Sequence, residues 1–345
     1  MKTSKKGILR VLQTVILTGT YTASHALPAY TVTDLGALGA HGEAQPLGVN
    51  NAGQVTGGRT VSSGEVHAFL YNNGVFQDLG TPGGPYSTGT DINSAGVVVG
   101  YGSTPNGGPT SSFLYNNGVR TSIAIGWAYG INNLGQVTGD AGGPYVYSDG
   151  VIRSLGISGY GADINDFGQV AISSNHALLY SGGALQDLGT LGGTSSSAEG
   201  LNNAGQVVGS SLTSNNSASH AFLYSNGLMT DLGLIAGSTI GSRATDINNA
   251  GQVVGISDNH AFLYGDGIYT DLNTLPAVEA AGWDFLQQAN AISDNGNIVG
   301  IGQIHGEPLH GFLLMPVREV PEPAVLSLML IGILPWLRMR NKRQP

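Results

Sequence analysis

The chain contains no cysteine, so it has neither a disulfide framework nor thiol chemistry. Charge is scarce too: Asp, Glu, Lys and Arg make up only 10% of the 345 residues. No lysine occurs between Lys6 and Lys342. Residues 27–322 hold Arg59, Arg120, Arg153, Arg243 and Arg318 against all 22 acidic residues. So acidic a body repels nucleic acid and anionic membrane surfaces, and is compatible with cations or neutral glycans. Familiar catalytic signatures are missing: no His-Glu-x-x-His, no Gly-x-Ser-x-Gly, no phosphate-binding loop. Long apolar runs occur only near the two ends.

What the chain has in quantity is glycine, 55 residues without a collagen period. It falls in a repeating pattern that is clearest over 245–272. There the sequence predicts strand a (Thr245 to Asn248), a turn, strand b (Gln252 to Ile256), strand c (His260 to Tyr264), a second turn and strand d (Ile268 to Leu272). Asn and Gly carry the turns because tight hairpins need positive φ. Branched and aromatic residues fill the strands. The a–b turn recurs as Val49-Asn-Asn-Ala-Gly-Gln54, Ile92-Asn-Ser-Ala-Gly96, Ile131-Asn-Asn-Leu-Gly-Gln136, Ile164-Asn-Asp-Phe-Gly-Gln169, Leu201-Asn-Asn-Ala-Gly-Gln206, Ile247-Asn-Asn-Ala-Gly-Gln252 and Ile292-Ser-Asp-Asn-Gly296. Seven copies spaced by about 40 residues, four strands each, predict an all-β, seven-bladed β-propeller.

The strand d copies are offset. They read Asp34-Leu-Gly36, Asp78-Leu-Gly80, Ile123-Ala-Ile125, Ser154-Leu-Gly156, Asp187-Leu-Gly189, Asp231-Leu-Gly233 and Asp271-Leu272. The first precedes every a–b turn, and none follows the last strand c (His310 to Leu314). A closed ring follows if Tyr30 to Leu35 supplies the fourth strand of the last blade, which removes an exposed sheet edge. An open solenoid would leave that segment without a partner.

Both ends carry address labels. Residues 1–26 fit a secretory signal peptide: basic Lys2, Lys5, Lys6 and Arg10, an apolar Ile8 to Leu17, and a small-residue site at Ser24-His-Ala26. Residues 27–318 form the repeat body. Residues 319–345 form a tail: Val320, Pro321, Glu322 and Pro323, then an apolar run from Ala324 to Leu337, then Arg338, Arg340, Lys342 and Arg343. As a helix the run is roughly 21 Å long, short against a hydrocarbon core of about 30 Å. The basic end favours the cytoplasmic side. Together these suggest a transient anchor through a short C-terminal hydrophobic helix. In order and position the tail resembles the PEP-CTERM sorting signal of Gram-negative bacteria. That resemblance implies cleavage near Pro321 to Pro323 by an exosortase in a bacterium that makes exopolysaccharide, after transient anchoring in the inner membrane.

The repeats carry a second resemblance. His67-Ala-Phe-Leu-Tyr71, His220-Ala-Phe-Leu-Tyr224 and His260-Ala-Phe-Leu-Tyr264 are similar to the name-giving motif of HAF-repeat extracellular proteins. His176-Ala-Leu-Leu-Tyr180 and His310-Gly-Phe-Leu-Leu314 are looser copies, and Ser112 to Tyr115 and Pro144 to Tyr147 lack the histidine. The resemblance implies an extracellular repeat protein and names no activity.

If the strands run up and down, the tight a–b and c–d turns share one face of the disc and the variable b–c and d–a connections share the other. Length variation gathers on the second face, the usual place for binding in repeat proteins. Candidate ligand-binding residues there are Trp127 and Tyr160, with Arg243 at the same repeat position, and Trp283 and Phe285 in the longest connection. The structural alternative is that these rings plug the channel or pack between blades. One histidine per blade cannot converge on a zinc ion, so His67, His176, His220, His260 and His310 are expected to make a repeated structural hydrogen bond. Asp163-Ile-Asn165 and Asp246-Ile-Asn248 lack the spaced oxygen ligands of a calcium loop. No metal, cofactor or catalytic residue is expected. The expected function is a non-enzymatic surface or matrix protein, exported to the cell surface or beyond, that binds polysaccharide or a protein partner. The alternative is a secreted polysaccharide lyase or glycosidase, with Asp140, Glu199 and Asp284 as the carboxylates to consider.

Overall fold

The computed structural model describes residues 29–37 and 45–317. The segments read from sequence as a signal peptide (1–26) and as a sorting tail with a hydrophobic helix (319–345) lie outside the described residues. The described residues form seven four-stranded antiparallel sheets. Blades 1 to 6 occupy 46–80, 87–125, 127–154, 160–187, 192–233 and 242–271, each ordered a-b-c-d from the channel outward. Blade 7 takes its three inner strands from 283–316 and its outermost strand from Tyr30–Ala37. Tyr30 pairs with Pro316 and Val32 with Leu314, so the ring is closed by the N-terminal strand, as the offset of the strand d copies predicts.

The sequence dictates each blade in the same way. The c–d hairpins are two-residue loops with positive φ at both positions, for example Asn73 (48°) and Gly74 (85°). That geometry matches the twist of the flanking strands, and Asn-Gly tolerates it. The motif phenylalanine of strand c lies opposite a strand b glycine: Phe69 opposite Gly57, Phe113 opposite Gly100, Phe262 opposite Gly255, Phe312 opposite Gly300. A Cβ on Gly300 would sit 2.7 Å from the Phe312 ring, so the ring occupies the space a side chain would need. The motif alanines Ala68, Ala177, Ala221 and Ala261 are fully buried. Three of them donate their N–H to a serine hydroxyl of the next blade: Ser87, Ser196 and Ser242. The apolar core is accordingly a series of clusters, most of them spanning neighbouring blades, with no single centre.

All five strand c histidines make one recurring bond. His67, His176, His220, His260 and His310 place Nδ1 against the strand d carboxylates Asp78, Asp187, Asp231, Asp271 and Asp34, at 2.7 to 3.1 Å. This is the structural hydrogen bond expected of them. In blade 7 it ties the last strand c to the N-terminal strand. Blade 2 has Ser111 and Ser122 instead, hydroxyl to hydroxyl at 3.1 Å. This corrects the strand d reading there by one residue: Ser122 faces Phe113 as Asp78 faces Phe69. A sequence match on the aliphatic Ile123-Ala-Ile125 slipped the frame because the Asp that marks it is absent.

Candidate functional site

Two ends of the axial channel must be separated. On the tight-turn face is a depression of about 140 Å³ ringed by the a–b turns. Its wall is built from the first Asn of each turn. Asn50 Oδ1 accepts from the N–H groups of Ala52 and Gln54, while Nδ2 donates to Gln54 Oε1 and to the carbonyl of Asn93 in the next blade. The same side-chain-to-carbonyl step runs from Asn93 to Asn132, Asn165, Asn202, Asn248 and Ser293. Blade 7 has serine where the others have asparagine. There Asn297 donates to the Asn50 carbonyl and closes the circle. A second, outer arc uses the following residue: Ser94 on Asn133, Asn133 on Asp166, Asp166 on Asn203, Asn203 on Asn249 and Asn249 on Asp294; in blade 7 Asn295, two residues after Ser293, donates to Asn51. These polar groups hold blades to one another, so the depression reads as the fastening of the ring.

Just inside, each inner strand has a β-bulge at one repeat position, at Leu47, Thr90, Tyr129, Ala162, Glu199, Thr245 and Asn290. The residue after the bulge alternates around the ring: Gly48, Asp91, Gly130, Asp163, Gly200, Asp246, Ala291. Each aspartate spans two blades. Asp91 Oδ1 accepts from Ile92 N–H and Oδ2 from Ile131 N–H; Asp163 holds Ile164 and Leu201, and Asp246 holds Ile247 and Ile292. A Cβ on Gly48, Gly130 or Gly200 would lie 2.9 to 3.0 Å from the Cα of the next blade's aspartate, so glycine is required where an aspartate follows. The carboxylates are enclosed by protein around the channel although part of their surface faces it. That burial raises the pKa of Asp91, lifts Asp246 to about 7, and raises Asp163 well above its usual value. The charges of Asp91 and Asp246 add to the burial effect at Asp163. The bonds from backbone N–H groups oppose it and are outweighed. The sequence excluded a calcium loop at Asp163 and Asp246 and assigned them no role; they are inter-blade clamps.

From the opposite, variable face a group of aromatic residues reaches in to the bulge of blade 3. Trp127 opens strand a of blade 3 and is 39% exposed. Tyr160 opens strand a of blade 4 and lies 5.3 Å, centroid to centroid, from Tyr129. Tyr129 lies 6.2 Å from Tyr101, and Tyr101 lies 6.1 Å from Tyr86. Four half-buried tyrosines thus form one arc across blades 2 to 4, beside Trp127. Burial raises the Tyr129 hydroxyl above its ordinary range, with Tyr101, Asp140 and Tyr160 adding to the shift. Tyr86, Tyr101 and Tyr129 were not singled out by sequence. The bulge at Tyr129 is what brings it among its neighbours.

The other candidates separate from this arc. Arg243 lies in blade 6, where its charge favours ionisation of Glu199 against the dominant effect of burial. Trp283 is a core residue, 6% exposed and packed edge-on against His310 and Phe312. Its connection folds into a short helix, Pro276–Ala280, that covers it, so Trp283 offers no ring to a ligand. Phe285, two residues on, is half-buried. Asp140 accepts from the N–H groups of Gly142 and Gly143 and braces its own turn, while Asp284 accepts from Gly306 and braces the turn that follows strand b of its blade. Among the described residues no group of three or more His, Asp or Glu is placed to hold a metal ion.

No family model and no curated protein matches the chain. Solved structures do match in fold. The chain is similar to the β-propeller domain of the Trilobed protease from Pyrococcus furiosus, described as having an open velcro topology. The TM-score is 0.52 at 8% identity, over 81% of this chain and 99% of that one. It is also similar to a chain of the Mitotic Checkpoint Complex, with a TM-score of 0.53 at 11% identity, over 91% of this chain and 99% of that one. At such identities the likeness is one of fold: a seven-bladed β-propeller, here closed by its N-terminal strand.

Proposed function

We propose that this is an exported surface or matrix protein that holds a neutral polysaccharide on its variable-loop face. The observation that carries the reading is the aromatic arc of Tyr86, Tyr101, Tyr129 and Tyr160 beside Trp127. Amphipathic rings grouped on one sector, with hydroxyl groups beside apolar faces, suit the CH-rich faces and hydroxyls of sugars. The acidic body favours a neutral chain over an anionic one. The signal peptide and the PEP-CTERM-like tail support export, with an exosortase as the processing partner and the inner membrane as a transient station.

The test is retention of the purified protein on the producing cell's own exopolysaccharide, beside an assay for new reducing ends and unsaturated products. Retention without new ends is expected. Trp127→Ala and Tyr160→Ala are each expected to weaken it about tenfold, or about 1.4 kcal/mol. New ends would replace this reading with a lyase or glycosidase. Retention unchanged by both substitutions would remove the arc from the binding surface.

A further inference from the structure

Both ends of the propeller open onto one face. In every blade strand c runs towards the tight-turn face and strand d runs back from it. In blade 7 strand c ends at Pro316 and strand d begins at Tyr30. The two ends meet there, with Val317 N–H donating to the Ala29 carbonyl. From Val317 the sequence needs only residues 318–323 to reach the apolar run that starts at Ala324, a span of about 20 Å at full extension.

The same face carries a concentration of exposed apolar side chains. Phe167 and Leu134, 74% and 72% exposed, form the tips of adjacent a–b turns. Val75, Val119, Val151, Leu228 and Ile268 each stand exposed directly after the glycine of a c–d turn. They recur because Asn or Asp, then Gly, then an aliphatic residue repeats in five of the six c–d hairpins, so they line most of the rim. Among the described residues, the exposed large apolar residues on the opposite face are Ile125, Trp127 and Ile240. The tight turns contain no Lys or Arg, and they contain Asp149, Asp166, Asp266 and Asp294.

We infer that the tight-turn face rests against the surface of a zwitterionic lipid bilayer in which the C-terminal apolar run is seated, leaving the variable-loop face pointing outward. The inference rests on the membrane reading of the tail given above. The short tether supplies a high effective concentration, so contacts too weak to bind a free propeller suffice for a tethered one. Aliphatic groups at the rim reach the acyl boundary, and the acidic turns select against anionic headgroups.

The chain has no cysteine, so one introduced cysteine reports one place. Ala204→Cys marks an exposed a–b turn and Ala236→Cys an exposed d–a connection. Each full-length variant, carrying an environment-sensitive dye, is reconstituted into phosphatidylcholine vesicles and quenched by spin-labelled lipid or by aqueous iodide. The expected result is about threefold stronger lipid quenching at position 204 than at 236, with iodide showing the reverse. Phe167→Ser with Leu134→Ser should erase the difference while the protein still floats with the vesicles. Flotation with equal quenching at both positions would overturn the orientation and leave the tail reading intact. Failure to float would overturn both. Protection of position 204 from iodide in lipid-free protein would assign the face to a second copy of the chain instead.

Discussion

Asparagine carries the ring at the scale of single residues. An Asx turn needs one side-chain oxygen, and any of several residues could supply it. Spanning to the next blade needs an N–H₂ group at the same point, and Asn supplies both. Asn202 is 3% exposed and engages the N–H groups of Ala204 and Gln206, the Gln206 side chain and the Asn248 carbonyl. Asn202→Ala strands several buried groups, so a loss of about 3 kcal/mol is expected. Asn203→Ala, in the partly exposed outer arc, is expected to cost about 1 kcal/mol. Urea unfolding of the two variants measures both; equal losses would contradict the burial argument. The turn role of these asparagines was legible in the sequence. Their inter-blade role was not, because the partner is a backbone carbonyl 33 to 46 residues away, and a carbonyl leaves no trace in residue type. The alternation of Gly and Asp before each turn was visible as letters, yet its cause is a distance between neighbouring blades.

For a single blade, the histidine of strand c and the aspartate of strand d form the sheet's outer latch. Both groups are partly exposed, so the pair is worth little: a double-mutant cycle on His220 and Asp231 should give a coupling of about 0.5 kcal/mol. Asp231→Ala should cost more than His220→Ala, since Asp231 also accepts from Gly233 N–H. Equal costs would show that the turn bond contributes nothing. The latch was foreseeable because five repeats put one histidine each at one place, which excludes convergence on a metal. Its partner was not foreseen, although the sequence hinted at it: in blade 2, where the histidine is missing, Ser122 replaces the aspartate as well. The candidate site was less legible than the strands. Trp283 and Trp127 look alike as letters, and only the helix folded over the first separates a core ring from a surface one.

Across the whole molecule, the three channel aspartates tie stability to pH. Their folded values are raised, Asp246 to about 7, while unfolded carboxylates titrate near 4. Between those limits the folded state holds more protons, so stability is greatest below about pH 4 for these groups and is lost as pH rises through 7. The urea midpoint should therefore fall between pH 5 and pH 8, and fall less in Asp246→Asn. A midpoint that rises over this range would show that the backbone N–H groups keep the carboxylates ionised. The architecture was readable from the repeat itself, because a period, a turn and an offset strand d are enough to count blades and close the ring.

The Gly/Asp alternation has a further consequence, which is one of parity. A two-letter alternation closes without fault only on an even circle, and this circle has seven members. One phase slip is unavoidable, and it falls at Ala291 and Gly48, the blade junction where two non-aspartates meet. There Asn290 crosses to the Pro46 carbonyl as Thr90 crosses to Ala128 and Thr245 to Ala289, but no carboxylate follows it to clamp the next blade. The slip thus coincides with the blade that the two ends of the chain complete together. Adding or deleting a single blade elsewhere would create or cancel a slip, whereas a pair of blades would leave the pattern in step.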